Sequence, residues 1–273
     1  MTMEKGAQRF AILSDIHANA PAFQSALKTV RTLHIDTLVI LGDLLTYGCT
    51  PVDTLALLES ALDDWHTVLI TGNHDRMYFD LAKNDFSYLT RLPDWIQESA
   101  RWTTEQVTIS ELRARYPWRS DAQFGAVYVS HANPFGTDDW RYLNSERDLQ
   151  AAAHALPARG ASIGVFGHTH RPKACLLRIG EHVNMAEIKQ RRFSANPSSD
   201  DCVVVINPGS IGQSRSRNKR ATFLTITADQ GTYDFAIHDV GYDRQAHIRS
   251  IEDSRLSPAT KRKLISFYNE VAQ

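Results

Sequence analysis

The chain has 273 residues, 42% of them hydrophobic and 22% charged, with a formal net charge of −1. This is the composition of an ordinary globular protein, and it excludes a disordered or collagen-like chain. There is no basic excess to hold duplex nucleic acid and no apolar run of membrane-spanning length.

The start, Met1 to Arg9, carries no apolar signal core, and the three cysteines, Cys49, Cys175 and Cys202, form no CxxC pair. They read as reduced thiols, so a cytoplasmic location is expected. Phe10 to Leu13 reads as a buried strand. Pro21 to Leu33 places Ala22, Ala26, Val30 and Leu33 at helical spacing. Thr37 to Leu41 is a second buried strand. Pro51 opens a helix with Leu55, Leu58 and Leu62 on its stripe. His66 to Ile70 is a third strand. Strands alternating with helices predict right-handed crossovers and a mainly parallel sheet.

Asp85 to Trp118 reads as two or three helices outside the sheet. Strands follow at Ala126 to Val129 and Ser162 to Phe166, with a helix between them at Glu146 to Ala155. Ala174 to Ile179, Cys202 to Ile206, Thr222 to Thr227 and Thr232 to His238 read as an antiparallel run. Ser257 and Pro258 start a terminal helix ending near Val271. The polar, breaker-rich segment Glu181 to Asp201 reads as an inserted loop with at most one helical turn. A single domain over 1–273 is expected, with a helical insertion at about 85–118 and a loop insertion at about 181–201.

The informative residues stand where strands end: Ser14-Asp15-Ile16-His17, Leu41-Gly42-Asp43, Thr71-Gly72-Asn73-His74-Asp75, Ser130-His131 and Gly167-His168-Thr169-His170. In open α/β sheets, ligands gather at the carboxyl ends of strands. Carboxylates, imidazoles and one amide make a mixed N/O donor set suited to Mn, Fe, Zn or a similar ion. Two ions about 3.5–4 Å apart activate a water and clamp an in-line phosphoryl displacement. Taken singly, each residue has a plain structural role. Asp15 or Asp43 would cap a helix, His131 would be a satisfied core histidine, and Asn73-His74-Asp75 would make a turn. Their conjunction at five strand ends is what points to a metal centre.

The ordered series D-x-H, G-D, G-N-H-D, H and G-H-x-H, followed by Asn207-Pro208-Gly209-Ser210, resembles the calcineurin-like metallophosphoesterase superfamily. Tyr47-Gly48 and Gly212-Gln213 make the chain similar to its small bacterial and archaeal predicted-phosphodiesterase branch. The resemblance covers nearly the whole chain apart from Glu181 to Asp201. It implies an α/β fold, a four-layer αββα sandwich of two mixed β-sheets flanked by helices. It also implies roles. Asp15, His17 and His170 would hold one divalent ion, and Asn73, His131 and His168 a second. Asp43 would bridge them. His74 would reach the scissile phosphate and protonate the leaving oxygen or stabilise its charge, and Asp75 would orient His74. Asn207 would support the site from its turn.

The chain carries Gly-Asn-His-Asp where the Ser/Thr protein phosphatases of that superfamily carry Gly-Asn-His-Glu preceded by Arg. Thr71 precedes Gly72 here, and Ser130 stands before His131 where many relatives have Gly. The expected reaction is hydrolysis of a small nucleotide-type phosphodiester. Phosphomonoesterase or protein phosphatase activity, nuclease activity and a non-catalytic scaffold are the alternatives. A nuclease would want a basic track, and the chain offers only Arg215, Arg217, Lys219 and Arg220. Those cations, Arg215 and Arg220 above all, are candidates for holding a neighbouring phosphate, and Tyr47 for packing on a base or sugar. Neither a membrane nor polymeric nucleic acid is an expected partner, and the sequence leaves the oligomeric state open.

Overall fold

The computed structural model describes residues 7–180, 184–196 and 202–269. In chain order, β1 (Gln8–Leu13) leads to α1 (Ala20–Arg31), β2 (Thr37–Ile40), α2 (Pro51–Asp64), β3 (His66–Ile70) and α3 (Asn73–Leu81). Then come α4 (Asp94–Gln106), α5 (Ile109–Arg115), β4 (Trp118–Arg119), β5 (Asp121–Phe124) and β6 (Val127–Ser130). They are followed by α6 (Glu146–Ala155), β7 (Ile163–Phe166), β8 (Lys173–Arg178), β9 (Asn184–Glu187) and β10 (Arg192–Ala195). The chain continues with β11 (Cys202–Asn207), β12 (Ala221–Asp229), β13 (Thr232–Val240), α7 (Arg244–Glu252) and α8 (Pro258–Ser266).

The strands form two mixed sheets, ordered β10-β13-β12-β1-β2-β3-β4 and β5-β6-β7-β11-β8-β9. In the first, β1 to β4 run parallel, and β12 joins β1 antiparallel. In the second, β6, β7 and β11 are parallel, with antiparallel partners outside them. Alternation along β1 divides its side chains between two faces. Phe10 and Ile12 join Val39, Leu41, Val68 and Ile70 against Val129, Val165, Val204 and Ile206 of the other sheet. Ala11 and Leu13 face the opposite way, into a core shared with Phe23, Leu27 and Val30 of α1. Leu149, Ala152 and Ala153 of α6 cover the second sheet. The result is the four-layer αββα sandwich. A strand buried on both faces reads as an unbroken apolar run, which is why β1 and β2 are visible in the sequence.

Three expectations need correction. The segment 181–201 is not simply a loop, because its described parts form two strands, β9 and β10. They pair antiparallel at the outer edges of opposite sheets, β9 on β8 and β10 on β13. Edge strands need little apolar surface, so their polar sequence reads as loop. Residues 181–183 and 197–201 lie outside the described residues. Asn73 to Asp75 form the first turn of α3, where Asp75 accepts the Gly72 N–H. Trp118 belongs to β4 rather than to the preceding helices. The terminal helix α8 ends at Ser266, and Val271 lies outside the described residues. Helix α7 has too thin an apolar stripe to stand out, with only His247 and Ile251 buried.

Candidate metal centre

Five strands of the two sheets end at one rim. Asp15 and His17 follow β1, Asp43 follows β2, Asn73 to Asp75 follow β3, His131 follows β6, and His168 and His170 follow β7. Asp15, His17, Asp43, His168 and His170 all take positive φ, between 48° and 63°. Left-handed backbone at non-glycine residues is costly and concentrates at functional sites. Two glycines let these loops close on one another. A Cβ on Gly72 would fall 2.2 Å from Asp43 Oδ1, and one on Gly167 would fall 1.9 Å from Ser14 Oγ.

The first group is Asp15, His17 and His170, all buried. His17 Nδ1 donates to the Leu45 carbonyl at 3.2 Å, and His170 Nδ1 to the Gln213 carbonyl at 2.8 Å. Each ring therefore carries its proton on the outer nitrogen and turns a bare Nε2 inward. Those two Nε2 atoms lie 3.1 Å apart. His170 Nε2 is also 3.1 Å from Asp15 Oδ1, a buried oxygen with no hydrogen-bond donor. The other oxygen, Asp15 Oδ2, accepts Ser14 Oγ–H at 2.6 Å and the His168 N–H at 3.1 Å. Bare nitrogen facing bare nitrogen and carboxylate at contact distance is repulsive unless a cation lies among them, so this donor set fits a divalent ion.

The second group is Asp43, His131 and His168. His131 Nδ1 bonds to the Leu41 carbonyl, and His168 Nε2 donates to the Trp140 carbonyl at 3.0 Å. Their inner nitrogens, His131 Nε2 and His168 Nδ1, are 3.2 Å apart. Asn73 Oδ1 is 3.2 Å from His131 Nε2, while Asn73 Nδ2 donates to the Tyr88 hydroxyl at 3.2 Å. Tyr88 thus turns the amide so that its oxygen faces the cluster. Asp43 touches both groups: its Oδ2 is 3.7 Å from His17 Nε2 and 3.4 Å from His131 Nε2.

The electrostatics agree. Burial would raise Asp43, but His131 and its neighbours hold that carboxyl well below its ordinary value. Burial works against a charged His131, yet Asp43 outweighs it and lifts the imidazole to about 10. Burial, then His131, pushes His168 down to about 3. The cluster therefore keeps its carboxylates ionised and demands positive charge among them.

His74 stands beside the groups and is fully enclosed. Its Nε2 is 3.0 Å from the Tyr47 hydroxyl, and its Nδ1 is buried without a hydrogen-bond partner. The Asp75 carboxyl makes no hydrogen bond to the His74 ring among the described residues. Its oxygens accept the backbone N–H groups of Asp43 at 2.7 Å, Gly72 at 2.8 Å and Leu44 at 3.0 Å. It lashes the loop bearing Asp43 to the start of α3. Burial and the Asp43 charge raise it to about 7. The residue that touches the His74 ring is Tyr47. Its own ring is buried, stacked on Trp95 at 5.4 Å, so it is not an open platform for a base.

The more distant candidates divide. Asn207 Nδ2 bonds to the Gly167 carbonyl and donates to Thr169 Oγ1 at 3.0 Å, so it holds the loop bearing His168 and His170. The Arg215 N–H donates to the His170 carbonyl at 3.1 Å, which places this residue beside the first group. Arg220 lies instead in a separate surface hollow with Lys219, Tyr242 and Arg244, which no cluster residue lines. Tyr88 and Tyr142 are site residues that sequence reasoning missed. Tyr142 stacks on His168 with ring centroids 4.1 Å apart. Both come from loops far along the chain from their partners, and no spacing signals them.

The family model of the calcineurin-like phosphoesterase superfamily domain matches residues 9–231. An uncharacterized protein of Methanocaldococcus jannaschii is 27% identical over 250 residues, covering 90% of this chain and 93% of its own. The crystal structure of a metallophosphoesterase from Sphaerobacter thermophilus superposes with a TM-score of 0.72 at 25% identity, over 96% of this chain and 100% of that one. A hypothetical protein from Pyrococcus horikoshii OT3 shares the fold, with a TM-score of 0.72 at 18% identity and coverage of 97% and 99%.

Proposed function

The chain belongs to the calcineurin-like phosphoesterase superfamily and is a hydrolase of phosphoric esters, and we propose that it is a two-metal phosphodiesterase acting on a small nucleotide-type ester. The observation that carries this reading is the position of Asp43, whose Oδ2 stands between His17 Nε2 and His131 Nε2, one from each buried group. Asp15, His17 and His170 would hold one divalent ion, Asn73, His131 and His168 the other, and Asp43 both. Mn, Fe, Zn or a similar ion suits this donor set. Such ions supply Lewis acidity to a phosphoryl group and make water a nucleophile at neutral pH.

The protein's own part is positioning. Backbone carbonyls fix the four imidazoles, so their inner nitrogens are aimed at the cluster before any ligand arrives. His74 has no place in either group and offers one buried nitrogen without a partner. We assign it to the leaving oxygen, as proton donor or as stabiliser of developing charge. Arg215, beside His170, adds a cation at the rim that suits an ester carrying further negative charge.

The free cysteines, Cys49, Cys175 and Cys202, are consistent with a cytoplasmic location. Among the described residues no helix is long and apolar enough to cross a membrane. The shared core between the sheets supports reading the chain as one domain.

A panel of phosphomonoesters, phosphodiesters and dinucleoside polyphosphates, assayed with Mn, tests the reading. Bis(4-nitrophenyl) phosphate should turn over faster than 4-nitrophenyl phosphate. The reverse order would replace the diesterase reading with a monoesterase. Absence of turnover on the whole panel, with metal bound, would leave a scaffold.

A further inference from the structure

A cavity of about 160 Å³ adjoins the second group and shares His131 with it as a wall. Three arginines from separate segments meet there: Arg76 of α3, Arg113 of α5 and Arg119 of β4. Their backbones are tied to the site. The Arg119 carbonyl accepts the Thr71 N–H at 2.8 Å, two residues before Asn73. Arg76 follows Asn73 by three residues on the same helix.

The charges do not cancel. Arg76 is committed to Asp138 at 3.1 Å and to Asp80 at 3.2 Å. Asp139 is committed to Arg141 and to the Asn133 amide. Arg113 meets only the face of Phe79, at 5.8 Å, and the Arg119 guanidinium has no hydrogen bond or ion pair among the described residues. Two guanidinium groups without carboxylate partners therefore border a hollow whose own acids are already paired. The volume is below the roughly 300–1,000 Å³ of pockets that enclose a whole small ligand. It fits one functional group of a larger molecule. Guanidinium forks match the oxygens of carboxylate and phosphate alike, and of the two the phosphate carries the greater charge to answer two cations.

We infer that this arginine-lined hollow is an anion subsite that holds a second phosphate of the substrate while the scissile phosphate lies at the metal centre. The inference rests on the phosphoesterase reading and deepens it: the preferred substrates carry two phosphates, such as a nucleoside bisphosphate ester, rather than one.

Two chromogenic diesters isolate the effect, thymidine 5′-(4-nitrophenyl phosphate) with and without a 3′-phosphate. The Mn-loaded full chain should show a lower KM for the bisphosphate. The exposed pair Arg113→Gln and Arg119→Gln, combined, should raise that KM about tenfold or more relative to the change for the monophosphate, the loss of roughly one charge-assisted contact. An unchanged ratio of the two KM values would overturn the subsite while leaving the phosphoesterase intact. Should neither diester turn over, the phosphodiesterase reading fails by itself, and calorimetric titration with inorganic pyrophosphate still reads the subsite. Binding about tenfold weaker in the double variant supports it, and equal binding overturns it. Circular dichroism with an unchanged Tm confirms that the variant is folded.

Discussion

The Tyr47 hydroxyl lies 3.0 Å from His74 Nε2, and among the described residues this is the one hydrogen bond of the His74 ring. Tyr47 is itself held in an aromatic stack. Its ring stacks on Trp95 of α4 at 5.4 Å, and Trp95 meets Phe267 at 5.7 Å. On its other side it lies 4.4 Å from the His17 ring. The helices outside the sheet thereby set the direction of a side chain at the metal centre.

Removing only that hydroxyl tests the relationship. Tyr47→Phe keeps the stack and should lower kcat roughly three- to tenfold, the equivalent of one neutral hydrogen bond. KM and metal content should stay as in the wild type. Steady-state kinetics with elemental analysis check this. Loss of metal would mean that the ring supports His17 rather than His74.

His74→Asn should be more severe and should fall on a different step. The variant should retain both ions and lose about 10²–10⁴-fold in kcat, the usual worth of a positioned acid. The loss should shrink for esters of nitrophenol, whose leaving oxygen needs little protonation. A series of aryl esters of graded leaving-group acidity reads this directly. A variant stripped of metal would make His74 a ligand.

Asp75 should matter for stability rather than for the proton. Its carboxylate satisfies three buried N–H groups, from Asp43, Leu44 and Gly72. Leaving buried donors unpaired costs about 1–3 kcal/mol each. Asp75→Ala should therefore lose at least about 3 kcal/mol and lower Tm on the order of 6–12 °C. Thermal unfolding of Asp75→Ala beside His74→Asn separates the roles, since the latter should melt near the wild-type temperature.

Chelation should abolish hydrolysis, and Mn or a similar transition ion should restore it better than Mg, because imidazole donors suit Mg poorly. Asp43→Asn should reduce metal content and lower the rate by orders of magnitude, since its Oδ2 faces both groups. Turnover that survives exhaustive chelation, with metal loss verified by elemental analysis, would sink the two-metal reading.

The sequence disclosed the centre because metal chemistry needs a few residue types at strand ends, and strands buried on both faces are easily seen. Asp15, His17, Asp43, Asn73, His131, His168 and His170 do converge in the structure. What stayed hidden depends on contacts between distant segments. The Tyr88 hydroxyl that turns the Asn73 amide and the Tyr142 ring stacked on His168 come from loops with no periodicity. The role of Asp75 was obscured by its neighbour: adjacency to His74 suggested a pair, but a side chain in the first turn of α3 points back to its own helix start. The edge strands β9 and β10 escaped because exposed polar residues can complete a sheet without an apolar pattern.

The basic run from Arg215 to Arg220 gives the last test, because the structure divides what the sequence presents as one patch. Arg215 is anchored through its N–H to the His170 carbonyl, and its Nε is buried without a hydrogen-bond partner. Arg220 faces a different hollow, beside Tyr242 and Arg244. Of the two, Arg215 is the one placed to steady a negatively charged ester at the rim. Arg215→Ala should raise KM for a polyphosphate-bearing substrate well above its effect on bis(4-nitrophenyl) phosphate, because only the former carries a second anionic group. Arg220→Ala should leave both values within about twofold, the behaviour of a solvated surface cation whose interactions are screened within roughly 8–10 Å. Kinetics of the two variants on both substrates decide it. Equal effects of the two substitutions would return the run to a common, diffuse electrostatic role, and no effect of Arg215→Ala would remove it from substrate binding.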